Sequence, residues 1–256
     1  MEHTKNYFFT DISVMLGRSI KHITRSADTI ITTALMPVAI MLLFVYVLGG
    51  AIQSNSDSYI NYQLPGILLI TVSTGITYTS YRLFNDKQHG IFDRFHSMPI
   101  SYSTPLWGHV VASLISNMAS VMVVVFVALA LGFRSSAGVF SWLAVIGILV
   151  LFNLALTWVA VIAGVIAKTS DGATAFSYPL IFFPFLSSAF VPTETMPKAL
   201  RVFAENQPVT SIVNSIRALL EEQPVGNDIW IALAWCIAII IIAFTAAAQV
   251  YKRRLS

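Results

Sequence analysis

Residues 135 to 167 read SSAGVFSWLAVIGILVLFNLALTWVAVIAGVIA and contain no Asp, Glu, Lys or Arg. A helix needs about 20 such residues to cross roughly 30 Å of bilayer hydrocarbon, so the stretch is long enough to span a membrane. Working outward from it, the charged side chains leave five more long intervals, 29–56, 58–81, 95–133, 172–193 and 229–251. The chain is 56% hydrophobic and 11% charged, where a soluble domain carries about a quarter charged residues. These observations predict an all-α integral membrane protein with six transmembrane helices. They also predict a single transmembrane domain over residues 1–256, with no room for a soluble catalytic domain.

Lys and Arg stay preferentially on the cytoplasmic side, and this orients the bundle. With the N-terminus inside, Lys5, Arg18, Lys21, Arg25, Arg82, Lys87, Arg94, Lys168, Lys252, Arg253 and Arg254 are cytoplasmic, and only Arg134, Lys198, Arg201 and Arg217 are outside. Both termini are then cytoplasmic. The net charge of +3 reflects this topology and gives no reason to expect nucleic acid. The first apolar run begins near Ile30, after charged residues, and exceeds the about 7 to 15 residues of a signal core, so the first span should stay in the mature protein. The lone Cys236 allows neither an intrachain disulfide nor a cysteine metal site.

Ahead of the first span, Phe8, Phe9, Ile12, Met15, Leu16, Ile20 and Ile23 recur at helical spacing among basic residues. This predicts an interfacial helix over 6–28 lying in the inner headgroup layer, as a simple anchor or in a coupling role. Spans one (30–50) and two (62–81) are joined outside through Asn55-Ser56-Asp57-Ser58. Spans three (105–131) and four (142–167) form an outer hairpin over Gly132-Phe133-Arg134-Ser135-Ser136. In span four, Ala160, Ala163, Gly164 and Ala167 permit close helix approach. Span five contains Pro179 and Pro184, each lacking a backbone donor, so a bent or broken helix is expected there, with its freed carbonyls satisfied by protein or a wet cavity. Residues 193–228 carry two apolar stripes at helical spacing, Met196, Leu200 and Phe203, then Val209, Ile212, Val213, Ile216, Leu219 and Leu220. They predict two short amphipathic helices capping the outer end.

The cytoplasmic loop 84–101 contains Gly90-Ile91-Phe92-Asp93-Arg94-Phe95-His96-Ser97-Met98-Pro99-Ile100-Ser101. As a helix it places Ile91, Phe92, Phe95 and Met98 on one face and Asp93, Arg94 and Ser97 away from it, with Gly90 and Pro99 as brackets. So short an amphipathic helix needs something to lie against, which points to a partner protein below the membrane.

The run GIFDRFHSMPIS at 90–101, the two prolines of span five, the stretch FVPTETMPKALRVFAENQPVTSIVNSIRALL at 190–220 and the six-span pattern resemble the membrane subunit of an ABC transporter of the type 2 exporter class. The likeness extends to its daunorubicin-resistance branch of bacterial drug and antibiotic exporters. The resemblance covers nearly the whole chain. It implies that 84–101 holds the coupling helix, with Gly90, Phe92, Asp93, Arg94, Phe95, Met98 and Pro99 touching an ABC ATPase subunit. It also implies that Asn206, Pro208, Val209, Thr210 and Arg217 belong to a reentrant outer pair of helices over 193–228. His96 stands where the branch usually has a second arginine, and Tyr102 where a basic residue is common. The resemblance further implies a path between two permease subunits, as a homodimer or paralogous heterodimer. Spans one, two and five would line it with Met36, Met41, Phe44, Tyr46, Tyr78, Tyr81, Phe176, Phe182, Phe183 and Phe185, side chains that fit a hydrophobic or amphipathic cargo and also fit packing or lipid contact.

No G-x-x-x-x-G-K-[ST] phosphate loop occurs in the chain, so it lacks the backbone cradle and lysine that hold nucleotide phosphates. ATP and Mg are therefore expected on the partner subunit, with no cofactor or metal bound here. The resemblance places the assembly in a bacterial cytoplasmic membrane. The alternatives are an intramembrane enzyme and a non-transporting immunity or sensor protein. His89, His96 and His109 form no H-E-x-x-H, and no acidic pair lies inside a span, which leaves an enzyme without visible chemistry.

Overall fold

The computed structural model describes residues 27–48, 59–91 and 104–254. The interfacial helix expected at 6–28 lies outside them except for its last two positions. Phe92, Asp93, Arg94, Phe95, His96, Met98 and Pro99 also lie outside the described residues. No strand occurs among the described residues.

Helix α1 is Ala27–Leu42, with Pro37 inside it, and continues as a π-helical stretch over Leu43–Leu48. Helix α2, Tyr59–Gln88, follows. Then come α3, Thr104–Ala130, and α4, Val139–Ile166. The fifth interval is broken, as Pro179 and Pro184 require: α5 is Ser170–Ala175, α6 is Ser177–Phe182, and a 3₁₀ turn covers Phe183–Leu186. The two apolar stripes of 193–228 become α7, Lys198–Asn206, and α8, Pro208–Leu220, with Pro208 in the first turn, where its missing N–H is harmless. Helix α9 is Asp228–Arg254.

Among the described residues, three helical stretches are long and apolar enough to cross a membrane, Leu106–Ala130, Val139–Ile166 and Asp228–Val250, with a shorter apolar helix at Thr33–Val47. Helix α2 has the length but mixes Thr, Ser, Tyr and Gly into its apolar run. Its position explains this composition. It packs against α1, α3, α4, α5, α6 and α8, so protein rather than lipid surrounds it, and small polar side chains can be satisfied there. By contrast α9 lies at the rim: 17% of its apolar window is buried, against 61% for α4.

The core has two parts. The larger gathers Leu64, Ile67, Leu68 and Ile70 of α2 with Val124, Leu149, Ile212 and Ile216. The smaller joins Leu83, Leu106, Val110, Trp158, Val161, Val165, Ala243 and Ala247. In it Trp158 meets Trp107 edge-on at 5.1 Å and Phe244 at 4.9 Å, a favoured aromatic geometry.

The small residues of α4 are where the helices approach closely. A Cβ on Gly164 would sit 2.7 Å from the Ser80 backbone oxygen and 3.0 Å from Leu83 Cβ. Gly164→Val should therefore push α4 off α2, at a cost of about 2 kcal/mol from overpacking. Thermal unfolding in detergent would read this as a lowered midpoint, and an unchanged midpoint would mean that the contact is not needed.

Candidate functional site

The break in the fifth segment poses a hydrogen-bonding problem, and its solution builds the site. Pro184 has no N–H, and Ser187 is extended at φ −119°, ψ −175°; Pro184 O keeps one backbone donor, Ser187 N–H at 3.2 Å, but beyond it the chain leaves the helical ladder and its carbonyls need other donors. Side chains from elsewhere supply them. Ser187 Oγ donates to Pro184 O at 2.6 Å, and Gln207 Nε2 donates to Leu186 O at 2.5 Å and to Phe183 O at 3.4 Å. Tyr62 Oη donates to Ser188 O at 3.1 Å, and Tyr59 Oη to Phe190 O at 3.0 Å.

Arg217 completes the clamp. Its Nη2 donates to Ser188 O at 2.7 Å, its Nε and Nη2 to Tyr62 O at 3.2 and 3.1 Å, and its Nη1 to Asn214 Oδ1 at 3.3 Å. Asn214 Oδ1 also accepts from Ser188 Oγ at 2.6 Å. The guanidinium carbon lies 3.9 Å from the Tyr62 ring centroid, a cation–π distance. No carboxylate among the described residues pairs with it; carbonyl dipoles and the ring carry that role. Burial pushes its pKa down, opposed by Tyr62, Glu221 and Tyr59, but a guanidinium keeps its proton. One planar cation thus ties α8, α2 and the loop after the break. Of the other outer residues named from sequence, Val209 and Thr210 are buried, Thr210 Oγ1 donates to Ala204 O, and Asn206 Nδ2 to Val202 O at 2.8 Å. Tyr59, Tyr62 and Gln207 were missed, because their partners are distant in sequence.

Beside the clamp runs an aromatic column. Phe44, on the π-helical stretch, stacks on Phe190 at 4.6 Å, Phe190 on Phe185 at 5.0 Å, and Phe185 meets Phe182 at 6.2 Å. The structure brings Phe44, Phe182 and Phe185 together from the residues named for a path, and adds Phe190. Phe182, Met36, Tyr46 and Tyr81 are exposed, whereas Met41 is fully enclosed. Tyr78 and Phe176 are half-buried. Phe183 turns the other way, 6.4 Å from Phe203 across a cleft of about 560 Å³ with Val202, Asn206 and Gln207 in its walls.

A polar seam runs through the apolar helices. Asn117 Nδ2 of α3 donates to Asn153 Oδ1 of α4 at 2.8 Å, and Thr157 Oγ1 donates to the same oxygen at 3.2 Å. Ser113 lies 3.5 Å from Thr157 and 2.5 Å from Thr79 of α2. Hydrogen bonds of this kind are worth about 0.6 to 2 kcal/mol in a membrane. The seam consists of neutral amides and hydroxyls, which a search for ionisable residues passes over. A lone Asn near the middle of each of two apolar runs was its only signal.

At the other end of α2, Gly90 adopts φ 65° and ends the helix in the left-handed conformation that glycine allows. Gly90 therefore closes α2 as well as preceding the segment from Ile91. Asp86 Oδ2 meets His109 Nε2 of α3 at 3.1 Å. Lys87 Nζ donates to Val165 O at 2.8 Å and Ala167 O at 3.3 Å, at the end of α4. His89 Nδ1 lies 2.8 Å from Asn85 O.

The clamp, the column and this end of α2 all lie within residues 10–220, which match the family model described as the ABC-2 type transporter. The chain belongs to the ABC-2 type transporter family. It is similar to a daunorubicin resistance ABC transporter permease protein of Streptomyces coeruleorubidus, 26% identical over 229 residues covering 88% of this chain and 80% of the relative. It is also similar to a probable doxorubicin resistance ABC transporter permease protein of Mycobacterium tuberculosis, 24% identical over 256 residues covering 98% and 92%. This ABC-2 permease is the multi-pass membrane subunit of an ABC exporter, a kind of subunit that is generally not itself catalytic; the family implies an ABC ATPase as partner.

Proposed function

We propose that the chain crosses a bacterial cytoplasmic membrane six times, with both termini inside, and pairs with a second permease subunit, identical or paralogous, above two ATPase subunits. The counts of Lys and Arg support the orientation, and the burial of α2 inside the bundle accounts for its weaker hydropathy as a span. The segment 84–101 is the coupling lever, with Gly90, Phe92, Asp93, Arg94, Phe95, Met98 and Pro99 against the ATPase, and 193–228 is the outer cap. ATP and Mg sit on the partner. ATP binding favours one arrangement of the ATPases, and the lever turns that difference into a bias between inward-open and outward-open bundles.

The cargo proposed is a flat, hydrophobic or amphipathic molecule of the kind that the relatives' names give, daunorubicin or doxorubicin. The observation that carries this reading is the aromatic column Phe44–Phe190–Phe185–Phe182 beside a broken helix, ending in an exposed ring. Stacked rings offer π-faces to a planar aromatic guest.

The test uses the full chain purified in mild detergent. An ABC ATPase should co-purify with it, and vesicles of the complex should move doxorubicin in an ATP-dependent way. Phe92→Ala and Arg94→Glu should leave insertion intact and lower doxorubicin efflux by about tenfold, a coupling loss of ~1.4 kcal/mol. Efflux and ATPase association unchanged in both variants would overturn the lever assignment, and a complex with no ATPase would overturn the whole reading.

A further inference from the structure

Lys87 stands in the last turn of α2, three residues before Gly90. It reaches across to α4, with Nζ 2.8 Å from Val165 O and 3.3 Å from Ala167 O. These carbonyls lie at the end of α4, where intrahelical donors run out and the helix dipole is negative. Ala167 leaves the helix at ψ 141°. Thr169 then caps α5 by accepting the Gly172 N–H at 3.1 Å. Lys87 therefore holds the short hinge between α4 and the broken fifth segment.

Two further contacts tie the same parts together. Gly164 lets the end of α4 close onto Ser80 and Leu83 of α2, so the two helix ends lie in contact. Thr77 Oγ1 of α2 donates to Ser177 Oγ of α6 at 2.7 Å, beyond the hinge. A rotation of the end of α2 must either carry the hinge with it or break the Lys87 bonds. Those bonds run from an ammonium to carbonyl oxygens and are stronger than neutral ones.

We infer that Lys87 is a positioning residue that transmits movement of the lever to the broken helix, through the carbonyls of Val165 and Ala167. The inference rests on the lever reading above and adds its next mechanical step. A plain helix cap would make a different prediction: losing it costs stability but leaves nucleotide-driven movement intact.

The experiment uses the full chain with its co-purified ATPase in proteoliposomes. The background carries Cys236→Ala and a reporter, Tyr178→Cys, at an exposed position on α6. The maleimide labelling rate is measured without nucleotide and with ATP plus vanadate. With Lys87 present the two rates should differ by about fivefold or more, the lower end of ordinary coupling between sites. In Lys87→Met the ratio should fall to near one while ATP hydrolysis and ATPase association persist, and Lys87→Arg should restore it. If Lys87→Met gives no assembled complex, Lys87→Gln is held to the same criterion. Labelling that still responds fully to nucleotide in Lys87→Met, an arginine that fails to restore the response, or a reporter that ignores nucleotide with Lys87 present would each overturn the inference. A preparation without an ATPase instead refutes the export reading beneath it.

Discussion

Arg217→Met should destabilise the purified protein by about 2 to 3 kcal/mol, because hydrogen bonds to a charged group are worth about 1.5 to 3 kcal/mol each and several vanish together. The lost bonds reach Tyr62 O, Ser188 O, Ala189 O and Asn214 Oδ1. Ser188 O keeps the Tyr62 hydroxyl, so the loss falls mainly on Ala189 O and on the register of α8 against α2. One gain offsets part of this. Removing a part-buried cation ends its desolvation cost, and with no paired carboxylate among the described residues no lone charge is left behind. Arg217→Lys should fall between the two, since an ammonium cannot donate in a planar fork or lie flat on the Tyr62 ring. Thermal unfolding in detergent measures all three proteins, and a methionine variant that melts with the native chain would remove the clamp from the account. Tyr62→Phe gives a second check: combined with Arg217→Met its cost should exceed the sum, because either side chain alone still satisfies Ser188 O and the double variant leaves it with neither donor.

That clamp marks how far the sequence was legible. The break itself was readable, because Pro179 and Pro184 remove backbone donors wherever they fall in a helix. So were α7 and α8, whose apolar residues repeat at helical spacing on either side of Pro208. The satisfaction of the freed carbonyls was foreseeable only as a requirement. Its donors come from Tyr59 and Tyr62, more than a hundred residues earlier, and from Gln207 and Arg217, beyond an intervening helix; periodicity carries no information about such pairs. Arg217 was singled out through the family likeness, and its chemistry as a cation held by carbonyls and a ring emerged from the geometry. Helix α2 shows the converse: its Gly, Ser and Thr residues lower its hydropathy, and only its position inside the bundle explains why they suit it. Phe190 had no distinguishing pattern, since a phenylalanine inside an apolar interval looks like any other until its neighbours are known.

Gly75→Ala should cost about 3 to 4 kcal/mol, more than Gly164→Val, although it adds only one methyl group. A Cβ at Gly75 would fall 2.0 Å from Asn117 Oδ1 and 2.6 Å from Asn117 Cγ. No small shift relieves that overlap, so the carboxamide must leave its place. Leaving breaks the bond from Asn117 Nδ2 to Asn153 Oδ1 and strands a fully enclosed polar group among apolar helices. Overpacking contributes about 1 to 3 kcal/mol, and an orphaned buried amide a similar amount. Asn153 Oδ1 keeps the Thr157 hydroxyl, which limits the damage on the α4 side. The origin of the effect can be isolated in the Asn117→Ala background, where the new methyl group has room. There Gly75→Ala should cost less than about 1 kcal/mol, a non-additivity expected of residues in direct contact. Equal costs in both backgrounds would show that the penalty arises elsewhere, from α2 itself. A small cost in the first background would mean that the amide seam between α3 and α4 tolerates rearrangement.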